Sequence, residues 1–277
     1  MTPDEYCQRK AAASGSSFYY SFLFLPAERR RAITALYAFC REVDDVVDET
    51  SEMQIAAAKL AWWRAEVANL FAGNPQHPVT QALAPHKQAF SISSENLNHI
   101  IDGMEMDLTQ TRYLDWPGLE RYCYRVASVV GLLAAGIFGY RDSRTLDYAR
   151  NLGIAFQLTN IIRDVGEDAR KNRIYLPMAD LKQFGVPAAD ILQSRETPEF
   201  NRLMAFEAAR AREHYGKAMQ ALPPADRKAQ RPGLIMAAIY RTLLDEIERD
   251  GFHVLTQRTS LTPLRKFWLA WRTWVTA

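Results

Sequence analysis

The stretch Ala27-Glu-Arg-Arg-Arg-Ala-Ile33-Thr-Ala-Leu36-Tyr37-Ala-Phe-Cys40-Arg41-Glu-Val43-Asp44-Asp45-Val-Val47-Asp48-Glu-Thr50 carries its apolar residues at Ile33, Leu36, Tyr37, Cys40, Val43 and Val47. Steps of three and four are the period of a helix and not the alternation of a strand. Pro26 stands just before it, where a proline is tolerated. The same period recurs at about 55–71, 79–90, 93–108, 116–139, 143–165, 198–221, 232–250 and 263–275. Gly73 to Pro78, Pro223-Pro224 and Arg231-Pro-Gly233 are the clearest breaks, and none is long enough for a flexible linker. No strand–helix alternation and no internal repeat is visible. The expectation is one all-α domain over residues 1–277, with roughly nine or ten helices around a single core.

Composition agrees. Only 13 of 277 residues are Gly, which favours helix. Thirty-four basic residues against 32 acidic ones leave +2, which excludes an acidic disordered tail and gives no reason to expect nucleic acid. Cys7, Cys40 and Cys123 are scattered and odd in number, so neither a disulfide framework nor a CxxC zinc site is expected, and a reducing cytoplasm is. The start, Met1-Thr-Pro-Asp-Glu, shows no basic-then-apolar signal pattern. The uncharged run Val126–Tyr140 is short of the ~20 residues of a spanning helix and reads as a core helix.

Within this even spread two segments concentrate acid. Asp44 and Asp48 are four apart, so a helix stacks them on one face about 6 Å apart, with Asp45 beside them. In Gln157-Leu-Thr-Asn160-Ile-Ile-Arg163-Asp164-Val-Gly166-Glu167-Asp168, the residues Asn160, Asp164 and Asp168 form an i, i+4, i+8 ladder of about 12 Å. Gly166 is expected to loosen the helix end and leave Asp168 on the first loop residues. Like charges at this spacing oppose the helix, so a bare solvated face is a poor account of either ladder. Arg41 precedes the first; Arg163, Arg170, Lys171 and Arg173 surround the second. Oxygen-only donors favour hard cations, above all Mg²⁺, which keeps waters and recruits substrate phosphates. Arginine forks suit those phosphates.

Apolar helices adjoin both ladders. Ala127, Ser128, Gly131, Ala134 and Ala135 are small, which suits either tight helix packing or room for a hydrocarbon, and the second ladder's helix is apolar at Leu152, Ile154, Phe156, Leu158 and Ile161. A diphosphate clamp beside an apolar groove points to polyprenyl diphosphates.

The motifs are recognisable. Tyr37-Ala-Phe-Cys-Arg41-Glu-Val-Asp44-Asp-Val-Val-Asp48, Tyr122-Cys-Tyr-Arg-Val-Ala-Ser-Val-Val-Gly131 and the run Gln157 to Pro177 resemble the first aspartate-rich, central and second aspartate-rich motifs of the squalene/phytoene synthase family. The resemblance implies an isoprenoid-synthase helical bundle with a central apolar cavity and head-to-head prenyl transfer. It implies that Asp44, Asp48, Asn160, Asp164 and Asp168 hold two or three Mg²⁺ ions, that Asp45 supports them, and that Arg41, Arg163 and Arg173 meet diphosphates. Tyr37, Tyr122, Gln157, Tyr175 and Tyr240 would line the reacting centre, Tyr122 being a candidate proton relay. Ser17 and Phe18 match the family's flap, in which this chain carries Ser14 and Ser16. The runs Met1–Cys7, Ala11–Phe22 and Asp102–Leu108 are most similar to the bacterial presqualene diphosphate synthases of hopanoid biosynthesis. The expected reaction is condensation of two farnesyl diphosphates to presqualene diphosphate, with phytoene, dehydrosqualene or NADPH-dependent squalene synthesis as alternatives. No GxGxxG turn is present and NADPH is not expected.

Other classes are weaker. A di-iron bundle needs Glu-x-x-His pairs, and no His here follows a Glu by three. A non-catalytic scaffold predicts no diphosphate release. Asp102, Glu105 and Asp107 read either as a third acidic patch or as structural hydrogen-bonding groups. Arg265 to Val275 mixes Trp and Phe with basic residues, which suits a membrane-surface helix or a helix packed on its own domain. The expected location is therefore the cytoplasm, with peripheral membrane contact and hand-off to other squalene-pathway enzymes left open.

Overall fold

The structure is a computed structural model and describes residues 1–13, 21–22, 24–50 and 52–276. It is all-α: among the described residues no strand occurs, only an isolated bridge between Arg112 and Ile174. The helices are α1 Pro3–Ala13, α2 Ala27–Glu49, α3 Met53–Ala72, α4 Pro78–Leu83, α5 Ser94–Thr109 and α6 Trp116–Phe138. They continue as α7 Arg144–Arg170, α8 Met178–Phe184, α9 Ala188–Leu192, α10 Pro198–Ala221, α11 Arg231–Arg249 and α12 Pro263–Thr276.

Local chemistry explains most boundaries. Ser93, Asp115 and Thr197 cap the starts of α5, α6 and α10 by accepting from backbone N–H groups three residues on. Gly73 and Gly185 close α3 and α8 in the left-handed conformation. α1 was not anticipated, although its signal is in the sequence. Thr2 Oγ1 accepts from Glu5 N at 3.2 Å while Glu5 Oε2 accepts from Thr2 N at 2.8 Å, a capping box with Pro3 at the first helical position. The helix expected over 79–90 stops at Leu83 and passes into a 3₁₀ turn, Ala84–His86, because Pro85 cannot donate a backbone bond.

α6 is longer than the apolar run inside it. By length and composition it could cross a bilayer, yet nearly half of its most apolar window is buried, and it runs through the centre of the bundle. One turn, Tyr124–Ser128, is π-helical. Two buried apolar clusters flank α6 where a single core was expected. One joins α1–α5 to its C-terminal half through Val129, Leu133 and Ile137; the other joins α7, α8, α10, α11 and α12 to its start through Leu119, Tyr122 and Cys123. α10 lies along α7, and α12 packs on α11.

Between the clusters lies a cavity of about 250 Å³. Its wall comes from one stripe of each of four helices: α2 (Ile33 to Asp44), α6 (Tyr122 to Phe138), α7 (Tyr148 to Asn160) and α11 (Pro232 to Tyr240). At 1.5 Å per residue, the α7 stripe alone is about 18 Å long. The small residues of α6 divide their labour. Ala127, Ala134 and Ala135 line the cavity. Gly131 lines it too, but a Cβ there would come 2.7 Å from Ala149 O, so this glycine chiefly lets α6 and α7 touch.

Candidate active site

Both acidic ladders fall at helix C-termini. Asp44 and Asp48 occupy the last turns of α2, which has no basic residue in its final turn, and Asp164 and Asp168 the last turns of α7. The carbonyl ends of helices carry about half a negative charge, so acids there reinforce an already negative end. The bundle brings the two ends together. Lys171, just past α7, reaches back to α2 and donates to Asp48 Oδ1 at 3.3 Å, with Arg173 Nη1 3.9 Å from the same oxygen.

The α7 helix does not loosen at Gly166. It continues to Arg170, keeping Asp168 on the ladder. Gly166 serves a different purpose: its N–H donates to Val254 O at 3.2 Å, and a Cβ would lie 2.3 Å from Leu255 O. That close approach delivers Arg258, a residue the sequence reading passed over, whose Nε donates to Asp164 Oδ1 at 2.8 Å and lies 3.1 Å from Glu167 Oε2. Arg163 forks onto both oxygens of Asp164.

The electrostatics of these carboxylates diverge. Burial, then repulsion from Asp48 and Asp45, outweighs Arg41 and lifts Asp44 to about 6. Burial and the neighbouring Asp164 charge lift Asp168 to about 7, against the pull of Arg173 and Lys171. Burial also works against the Asp164 carboxylate, but Arg163 and Arg258 outweigh it and hold it below the usual range. Arg41 forks to Asp44 Oδ2 and Asp45 Oδ1, both at 2.6 Å.

Of the residues singled out by sequence, Tyr37, Arg41, Asp44, Tyr122, Gln157, Asn160 and Tyr240 line the cavity. Asp48, Arg163, Asp164, Asp168, Arg173 and Tyr175 sit beyond its wall, in the charged cluster or the buried network behind Tyr122. Asp45 does not face the cavity. It turns toward α1, where Lys10 Nζ lies 2.8 Å away, so its place is in positioning Arg41 and tying α1 to α2. Ser17 and Phe18 lie outside the described residues.

The donor set suits a hard divalent cation. Asn160 directs its amide nitrogen toward Gln157 Oε1 at 3.4 Å, while its buried Oδ1 has no hydrogen-bond partner. An orphaned carbonyl oxygen beside buried carboxylates is a group that a cation would satisfy. Among the described residues no three acidic, His or Cys side chains converge on one point, so there is no closed cage. This matches an ion that takes few protein oxygens and completes its shell with water and phosphate.

Behind Tyr122 lies a group that sequence reasoning left undecided. Asp107, 8% exposed, accepts from Tyr122 OH at 2.9 Å and from Tyr175 OH at 2.8 Å. The rings of Tyr113 and Tyr122 both stack on Tyr175 and are tilted to each other, all three centroids 5.2–5.8 Å apart. Burial, then the Asp107 charge, drives the Tyr122 phenol well above its ordinary range, so a phenolate is strongly disfavoured there. Asp102 and Glu105 belong elsewhere: Arg64 holds both at 2.7 Å, so there is no third acidic patch.

The sequence matches the squalene/phytoene synthase family over residues 11–265. It is 34% identical over 275 residues to a phytoene synthase of Arthrospira platensis, covering 95% of this chain and 89% of that protein. The fold matches the crystal structure of squalene synthase HpnC from Alicyclobacillus acidocaldarius with a TM-score of 0.81 and 30% identity, over 90% of this chain and 94% of that one. A dehydrosqualene synthase solved with a ligand matches with a TM-score of 0.87 and 27% identity, over 99% and 96% of the two chains.

Proposed function

Because the chain belongs to the squalene/phytoene synthase family, whose members condense prenyl diphosphates head to head, we propose that it joins two farnesyl diphosphates into presqualene diphosphate, with Mg²⁺ as the metal. The carrying observation is the juxtaposition of an apolar cavity with two acidic helix ends and the unpaired Asn160 Oδ1. Bound Mg²⁺ would neutralise diphosphate oxygens and ease their departure. Asp44, Asp48, Asn160, Asp164 and Asp168 are the proposed ligands. Arg41, Arg163, Arg173 and Arg258, now spent on these carboxylates and on the Asp107 carbonyl, are the cations that would turn to phosphate oxygens.

In this reading the C1–O bond of one farnesyl group breaks and its electron pair leaves with diphosphate. The C2=C3 π pair of the second group attacks the allylic C1, passing the charge to C3. Loss of a proton from C1 closes the cyclopropane. Presqualene diphosphate, diphosphate and a proton account for every atom. Tyr37, Phe156 and Tyr240 line the cavity with aromatic faces that stabilise a cation by ~0.5–2 kcal/mol each. Tyr122, its proton directed to Asp107, is poorly suited as a base, and the departing diphosphate is the better proton acceptor. The apolar wall keeps out water that would quench the cation. NADPH has no role in this scheme. The reading includes a cytoplasmic location at the inner face of the membrane and hand-off of the product to the next enzyme of squalene synthesis.

A second reading, phytoene synthesis from C20 substrates, is favoured by the 34% identical relative of that name. Incubation with farnesyl and geranylgeranyl diphosphates and Mg²⁺, with and without NADPH, separates them. Presqualene diphosphate from the C15 substrate, unchanged by NADPH, is expected. Phytoene from the C20 substrate, or squalene appearing with NADPH, would displace the first reading.

A further inference from the structure

α12 is apolar on two opposite faces, and only one of them is used by the fold. The inner face buries Leu269 and Ala270, and Trp274 stacks on Phe24 with ring centroids 4.9 Å apart. The outer face presents Leu264, Phe267, Trp268, Trp271 and Val275, all at least half exposed and spaced by threes and fours. A folded chain does not leave two indoles, a phenyl ring and two aliphatic side chains in one stripe against water without cost; at ~25 cal/mol per Å² the stripe favours an apolar or interfacial neighbour.

Charge decides between neighbours. Residues 251–276 contain Arg258, Arg265, Lys266 and Arg272 and neither Asp nor Glu. Arg258 and Arg265 are engaged, by Asp164 and by Glu246, and Lys266 turns inward toward Arg163 and Arg258, which leaves Arg272 to flank the stripe. The Arg272 guanidinium rests 5.2 Å from the Trp268 ring, at the edge of the aromatic face. A second copy paired through this helix would set basic residues against basic residues with no acid on the helix to offset them. An anionic lipid surface complements both features, because indole rings settle at the headgroup level and lysine and arginine meet phosphate.

We infer that the outer face of α12 is a bilayer-docking surface for anionic lipid, seated through Trp268, Trp271 and Phe267 with Arg272 at its margin. The inference rests on the prenyl-transfer reading only for its purpose. α12 packs on α11, whose Pro232, Gly233 and Met236 line the cavity, so the docked face is one helix away from the wall of the hydrocarbon pocket. A chain that makes a lipid then works within reach of the bilayer that receives it. Since a single cation flanks the stripe, aromatic insertion carries most of the attachment and salt weakens it only modestly.

The test is flotation of the full-length protein with vesicles of phosphatidylcholine alone or of phosphatidylcholine and phosphatidylglycerol in equal parts, for wild type, Trp268→Glu/Trp271→Glu and Arg272→Gln. Wild type is expected to float with the anionic vesicles, the double variant to bind at least about tenfold more weakly, and Arg272→Gln to lose about two- to fivefold. The double variant should keep its helical circular dichroism and its turnover of detergent-dispersed farnesyl diphosphate. Wild type remaining in the soluble fraction with both vesicle types overturns the inference, as does equal binding by the double variant. A wild-type dimer in solution that these substitutions split into monomers also overturns it, by assigning the face to a second copy. Absence of any condensed product, with vesicle binding intact, would instead count against the prenyl-transfer reading alone.

Discussion

Asp107 shows how a single carboxylate orients two phenols. Both its oxygens accept a tyrosine proton, so the hydroxyl groups of Tyr122 and Tyr175 both point to it, and the proton of Tyr122, which lines the cavity, is withheld from that space. In Asp107→Asn one oxygen becomes an amide that can only donate, and one phenol must reverse to accept it. The expected result is a loss of about tenfold to a hundredfold in kcat with KM and helical circular dichroism nearly unchanged, because the shape is kept while the orientation of a dipole on the cavity wall is not. Steady-state kinetics beside a far-ultraviolet spectrum checks this; wild-type kcat would show that phenol orientation is immaterial. The sequence could not disclose this role. The i, i+4 spacing of Asp44 and Asp48 is written locally, whereas Tyr175 stands 68 residues from Asp107 and meets it only through packing. Arg258, 94 residues from Asp164, escaped notice for the same reason.

At the level of elements, the helical period located the long helices and their caps sharpened the ends, but glycine was ambiguous. Locally Gly166 reads as a weak point of α7, with a helix propensity ~1 kcal/mol below alanine. Its actual function is steric, since backbone from residues 254–255 occupies the place of a side chain. Gly216 of α10 is the contrast: nothing lies within 4 Å of a Cβ built there. Gly166→Ala is therefore expected to destabilise by roughly 1–3 kcal/mol through overpacking, to displace Arg258 from Asp164 and to lower turnover. Gly216→Ala should stabilise by about 0.5–1 kcal/mol and leave turnover alone. Urea unfolding of the two variants beside wild type measures both, and equal stabilities would mean that the 254–255 contact gives way freely. Asp45 is placed by the helix as well. It adjoins the ladder in sequence, but a step of one residue turns it about 100° around α2, toward Lys10 of α1.

Across the whole molecule, the near-neutral sum of 34 basic and 32 acidic residues conceals a sharp division. Two helix C-termini carrying Asp44, Asp48, Asp164 and Asp168 converge at one end of an apolar cavity, held meanwhile by Arg41, Arg163, Lys171 and Arg258. The all-α class and the pairing of the two acidic segments were legible because each depends on local spacing and a shared chemistry. The placement of the cavity between two cores was not, since it follows from the contact of α6 with both. The central claim is that this acidic end binds diphosphate only through divalent cations. Titration calorimetry with a non-cleavable farnesyl thiodiphosphate, with Mg²⁺ and with EDTA, tests it on wild type and on Asp48→Ala and Asp164→Ala. Tight binding by wild type with Mg²⁺ is predicted, falling at least about a hundredfold with EDTA or in either variant while helical circular dichroism is retained. Equal affinity with Mg²⁺ and with EDTA, or wild-type affinity in both variants, would contradict it.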